Sequence, residues 1–394
     1  MLAAGTLSQA SFSAITVGLA VLAPQLRVEF GLSLGQVGVL LSAAWLGALP
    51  TLLLWGLAAD RYGERLVLAL GLLASAVCLV GAALAPSFGL LLASLALAGA
   101  TGASVNSASG RAVMHWFAPD ERGVALGIRQ TAIPAGGLVA ALFFPALASS
   151  GGSEAAFLFL AGFLALGAAG GWLVLRDGEV EAIEAPPFLG TLRDRRLWRL
   201  SLASGLYMYA QVAVIGFGVL FLHDSHGLAD DDAALVVAAA QVLAVVLRIA
   251  SGRWSDLVGS RIGPLRQVGL AITGSLGITA ALTGEPLWLL VPAVALAGGL
   301  SMAWNALSFT AAAELAGAAR SGVAIGFQQT VLSGVLVLAP LLFAATVSAG
   351  SWAFAFAIAA LLPLVGSWGL RPLSEETLNP RYFDRSAQPR TPTV

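Results

Sequence analysis

Long apolar runs alternate with short polar punctuation from one end of the chain to the other. Twelve runs are discernible, over 3–26, 35–59, 66–85, 88–111, 123–148, 154–175, 198–222, 233–253, 265–283, 286–312, 321–348 and 351–370. Most are about 18–25 residues long, the length that spans a bilayer as a helix. The pattern predicts an all-α membrane protein with twelve transmembrane helices. The longest polar interruption is 176–197, which contains Pro186-Pro187 and leaves six runs on either side. It divides the chain into a six-helix bundle over 1–175, a linker over 176–197 and a second bundle over 198–371. The polar tail 372–394 is expected to be disordered.

Two polar stretches repeat. Gly56-Leu57-Ala58-Ala59-Asp60-Arg61-Tyr62-Gly63-Glu64-Arg65 returns 196 residues later as Gly252-Arg253-Trp254-Ser255-Asp256-Leu257-Val258-Gly259-Ser260-Arg261. Both keep Gly, Asp, Gly and Arg at the same spacing. The first Gly lets one helix approach another closely. The Asp can meet a helix N-terminus or an arginine. The second Gly permits a tight reversal with positive φ, and the Arg suits the headgroup layer. The stretch 123–131 likewise aligns with 322–330 at an offset of 199, shared by Asn106 and Asn305. The duplication predicts two pseudo-symmetric six-helix bundles, with helices four and five matched to ten and eleven.

On these residues the chain resembles the major facilitator superfamily. Gly56, Asp60, Arg61, Gly63 and Arg65 match that family's loop between helices two and three, and Glu64 departs from it. The resemblance covers about Ala3 to Arg371. It implies a transporter working by alternating access, with both loops acting as inner gates. Gating residues are then Gly56, Asp60, Arg61, Gly63, Arg65, Gly252, Asp256, Gly259 and Arg261, with Arg111 as the partner expected for Asp60. Thr310 stands where a matching partner for Asp256 would be, so the second loop is expected to be the looser. Arg248 to Gly252 is similar to the helix-eight end of organic-anion and monocarboxylate members. The run Ile133-Pro134-Ala135-Gly136-Gly137 only partly matches the helix-five motif of drug exporters. Leu95 stands where many proton-driven members carry an arginine.

Composition narrows the classes. The chain is 58% hydrophobic and 10% charged, with a net charge of −1, so nucleic-acid binding finds no support. One cysteine, Cys78, excludes an internal disulfide and a cysteine-based metal site. No nucleophile–base constellation suggests an enzyme, and no cofactor is expected. All 20 basic residues are arginine. With the N-terminus inside, 17 of the 20 lie at cytoplasmic ends, loops or tail. That bias places both termini in the cytoplasm. The expected setting is a monomer in the cell's inner membrane. The outer loop holding His223, His226 and Asp230 to Asp232 is read as solvated rather than metal-binding.

Ionisable residues inside the membrane are costly and mark functional sites. Arg129 and Arg248 lie at similar depth in opposite halves, and no span carries an acid at its middle. The missing counter-ion points to an anionic substrate gripped between two guanidinium forks. Asn106, Asn305, Gln130, Gln329, Tyr207 and Tyr209 are candidates to complete that site. Trp45 and Trp304 are read as packing residues. The expected cargo is a small organic anion of carboxylate type. The rivals are a proton-coupled drug exporter and a non-transporting membrane receptor on the same fold.

Overall fold

The computed structural model describes residues 2–106, 128–175, 193–316 and 321–373, and its regular elements are all helices. In chain order they are α1 (Leu2–Phe30), α2 (Leu34–Tyr62), α3 (Glu64–Ala83) and α4 (Phe88–Asn106). The stretch Ile128–Val174 breaks at Gly151 and Gly152, where φ is −142° and +69°, into α5 and α6. Then come α7 (Arg195–His226), α8 (Asp230–Val258), α9 (Ile262–Ala281), α10 (Leu287–Ala316), α11 (Ser321–Ala349) and α12 (Trp352–Gly369).

Ten stretches among the described residues are long and apolar enough to cross a membrane. One of them is the broken α5–α6 pair. The exception is α9, which carries Arg266 and Gln267 near its start and falls short in apolarity. Among the described residues twelve helices are therefore present, but not twelve uniformly apolar spans. Most of the expected linker and tail, and Gly123 and its neighbours, lie outside the described residues.

Helix starts are written locally. Ser33 and Gln36 form a reciprocal capping box on α2, and Ser87 and Ser351 cap α4 and α12 through their side chains. Within the bilayer, small residues set the packing. A Cβ on Gly47 would lie 1.8 Å from the Ala96 carbonyl oxygen, and one on Gly99 as close to that of Ala44. Backbones of α2 and α4 therefore touch. The second half repeats the theme where Gly298 and Gly299 of α10 meet Ala240 and Leu243 of α8. Also, α3 packs on α6 as α9 packs on α12.

Among the described residues the halves meet chiefly where α1 packs on α7, α2 on α11 and α5 on α8. At one end the joint is tight. Arg27 pairs with Asp224, and the Ser42 hydroxyl donates to the Val337 carbonyl at 2.8 Å. A Cβ on Gly38 would lie 2.8 Å from the Pro340 carbonyl oxygen. At the other end, Gly56, Gly252, Gly259 and Gly326 face no neighbour within 4 Å among the described residues. Gly38→Leu is accordingly expected to force α2 from α11. Overpacking of this kind costs about 1–3 kcal/mol, enough to shift the open–closed balance roughly 5- to 150-fold. Spin labels at Val28 and Ser348 would report the separation. An unchanged distance distribution would remove this contact from the closure.

Candidate functional site

The site grows from interruptions in three helices. In α7 the helix widens into a π turn at Val212–Gly216, directly after Gln211. In α10 it breaks between Ser301 and Asn305, and α4 has a turn at Ala103, just before Asn106. The breaks in α4 and α10 match at the offset of 199 that relates Asn106 to Asn305. Such interruptions release backbone carbonyls and re-aim side chains inside the bundle, where π turns often serve function.

Between the halves these elements enclose a cavity with about 120 Å³ of space open to water. Its polar wall is Arg129, Gln9, Asn106, Gln130, Gln211, Asn305 and Gln329, with the hydroxyls of Ser13 and Thr16. Phe12, Trp45, Ile133, Met208, Met302 and Leu336 are among the apolar residues that complete it. The described wall carries no Asp, Glu or His.

Two amide pairs face this space, one from each half. Gln9 Nε2 donates to Asn106 Oδ1 at 3.2 Å, and Asn305 Nδ2 donates to Gln211 Oε1 at 3.3 Å. Arg129 Nη2 joins the first pair, donating to Gln9 Oε1 and to the Asn106 carbonyl, each at 3.1 Å. The second half breaks the symmetry. Gln328, at the position matching Arg129, is fully buried and bonds Ser308 Oγ at 2.5 Å and Ser204 Oγ at 3.3 Å. Two buried donors on the wall, Trp45 Nε1 and Asn106 Nδ2, have no hydrogen-bond acceptor among the described residues. A ligand rich in acceptor oxygens would satisfy them.

The structure gathers five of the expected binding residues on one wall: Arg129, Asn106, Gln130, Asn305 and Gln329. Three lie off it. Arg248, only 3% exposed, points into the α5–α8–α10 joint. Its Nε and Nη2 donate to the Met302 carbonyl at 3.3 and 3.1 Å, and Nη1 donates to the Gln130 carbonyl across the halves. Tyr207 is buried, its hydroxyl bonded to Ser367 Oγ at 2.8 Å. Tyr209 packs on Phe343. Gln9 and Gln211 join the wall although sequence reasoning did not place Gln9 there. Trp45 lines it too, while Trp304 is packed in the interior.

The gate loops are partly described. Arg111 lies outside the described residues, as does the side chain of Asp60. Gly63 and Gly259 both adopt positive φ, +85° and +66°, as a tight reversal requires. Arg61 lies over Tyr62 and Arg65 over Trp172, the latter 4.2 Å from the ring centre. The second loop is tied within its own half. Arg261 bridges Asp256 at 2.5 Å and Glu314 of α10 at 3.1 Å. Burial works against its charge, but those two carboxylates more than offset this and raise its pKa. Asp256 is thus not left alone, because the loop's own arginine supplies its cation. At the opposite end, His223 pairs with Asp230 at 2.9 Å.

Comparison with known proteins agrees with this architecture. Residues 2–337 match the Major Facilitator Superfamily. A Mycobacterium tuberculosis protein named as an uncharacterized MFS-type transporter is 34% identical over 354 residues, covering 88% of this chain and 79% of the relative. A probable nitrate/nitrite antiporter of Thermus thermophilus is 31% identical over 273 residues, covering 61% and 57%. Among solved structures, a bacterial homologue of the human lysosomal transporter Spinster, inward-facing and occupied, superposes with a TM-score of 0.75. It is 18% identical, with 95% of this chain and 96% of that one covered.

Proposed function

The chain belongs to the Major Facilitator Superfamily, and from that premise we propose that it carries a small organic anion of carboxylate type across the cytoplasmic membrane. It is a multi-pass membrane protein and a secondary transporter of small solutes. In the proposed mechanism the bundles 1–175 and 198–371 rock about the cavity, which opens to one side at a time. The repeated helix pairings in each half support that division. With both termini inside, as the arginine placement suggests, the tight joint near Arg27 and Asp224 and the loop glycines with no described neighbour at the far end support an inward-facing arrangement.

The observation that carries the anion reading is the wall itself. It presents Arg129, amides from both halves and unpaired donors, with no described acid. A guanidinium set among neutral amides can take a carboxylate through its planar fork. The apolar wall would take a short hydrocarbon portion, and the small volume limits its size. A relative named for nitrate and nitrite is consistent with an anionic cargo.

Flux of labelled monocarboxylates into proteoliposomes tests this. Uptake is expected to saturate and to be inhibited by other small carboxylates. An imposed pH gradient is expected to change the rate little, because the described wall has no group titrating near neutrality. Gradient-driven movement of cationic or neutral amphipaths without carboxylate flux would favour the exporter reading instead.

A further inference from the structure

At the arginine-rich end, α9 and α12 leave a groove of about 370 Å³ on the outer surface of the bundle. Arg266 and Arg371 flank it, and Leu270, Leu364, Val365 and Trp368 supply its apolar face. Among the described residues, no acidic one lines it. Arg266 stands four residues inside α9, roughly 6 Å along the helix axis. Its Nε donates to the Ser367 carbonyl at 3.2 Å. Among the described residues, neither Arg266 nor Arg371 forms an ion pair.

In the other half an aromatic ring covers Arg65, the residue that matches Arg261 at the offset of 196. There Trp172 of α6 lies over the Arg65 guanidinium at 4.2 Å. Trp368 of α12 stands 196 residues after Trp172, the offset of the two loop copies. Trp368 makes no such contact and is 66% exposed.

We propose that this groove binds the phosphate of an anionic phospholipid, held by Arg266 and Arg371, with an acyl chain along Leu270, Leu364 and Val365. Two cations, with no acid among the described lining residues, favour a headgroup with net negative charge over a zwitterionic one. The guanidinium fork suits phosphate oxygens. An exposed Trp is at home at headgroup level. The floor of the groove is braced: Ser367 Oγ bonds the Tyr207 hydroxyl at 2.8 Å and the Arg266 carbonyl at 3.1 Å. A bound lipid would therefore stiffen the α7–α9–α12 packing.

Native mass spectrometry of the full-length protein, offered phosphatidylglycerol and phosphatidylcholine of identical chains in equal amounts, reads the site. The wild type is expected to retain phosphatidylglycerol preferentially. Arg266→Gln should weaken that binding roughly fivefold and Arg266→Gln with Arg371→Gln about 30-fold, since each cation near a headgroup adds a comparable increment. Phosphatidylcholine binding should not change. Arg266→Lys should keep most of the preference, which separates lost charge from lost fold. Equal retention of both lipids by the wild type would overturn the proposal, as would an undiminished preference in the double variant. Displacement of the lipid by millimolar inorganic phosphate would assign the groove to a soluble anion instead.

Discussion

Arg129→Ala is expected to remove saturable carboxylate uptake, with substrate affinity falling by about 2–5 kcal/mol, the cost of deleting one partner of a desolvated charge pair. Arg129 is the cation on the described cavity wall. Its bonds to Gln9 and to the Asn106 carbonyl fix the guanidinium against the first amide pair. The anion would thus meet a charge that is already oriented, and little ordering remains to oppose binding. Arg129→Lys should recover only part of the loss. Lysine keeps the charge but lacks the planar fork that can hold Gln9 and a carboxylate together. Calorimetry on purified protein gives the affinity, and a melting curve of each variant shows whether it remains folded. An Arg129→Ala variant that is folded and binds a carboxylate as tightly as the wild type would place the anion elsewhere.

Run lengths and offsets in the sequence foretold much of this arrangement. Apolar runs predicted the helices to within a few residues, and the break at Gly151 and Gly152 falls inside the expected gap between 148 and 154. The offset of 199 paired Asn106 with Asn305 and Gln130 with Gln329, and all four line the cavity. Depth in the membrane is legible because it is counted along the chain. Facing is not. A helix in a bilayer is apolar toward lipid and toward its neighbours, so periodicity does not say which side is inside. Arg129 and Arg248 look equivalent by depth, yet Arg248 turns to Met302, whose carbonyl is released by the break in α10. Tyr207 turns toward α9 and α12, where Gly269 and Gly366 leave it room. The π turn that brings Val212, Ile215 and Gly216 to the wall had no recognised signal, and Gln9 sits in a helix that otherwise reads as plain span.

Arg248 separates two roles that the sequence alone merges, anion ligand and joint between the halves. Two of its bonds end on Met302 in its own half, and one crosses to Gln130. The crossing bond exists only while α5 and α8 are together at that level. Seven residues earlier on α8, Gln241 is buried against Gly137 of α5 with no partner for its amide. Arg248 therefore supplies polar pairing that its neighbour on the same joint does not. A hydrogen bond to a charged group contributes about 1.5–3 kcal/mol. Arg248→Met, which fills similar space without donors, is expected to shift the balance between closed and open joints about 10- to 150-fold toward separation. Anion affinity should fall less than in Arg129→Ala, because Arg248 acts from behind the wall through its field. Arg248→Lys restores that field but not the fork spanning Met302 and Gln130. It should bind the anion nearly normally and still show the shifted balance. Distances between spin labels on α5 and α8 give the balance, and binding isotherms give the affinity. If Arg248→Met instead abolished binding as fully as Arg129→Ala, with label distances unchanged, Arg248 would be a direct ligand of the anion and its bond to Gln130 incidental to the joint.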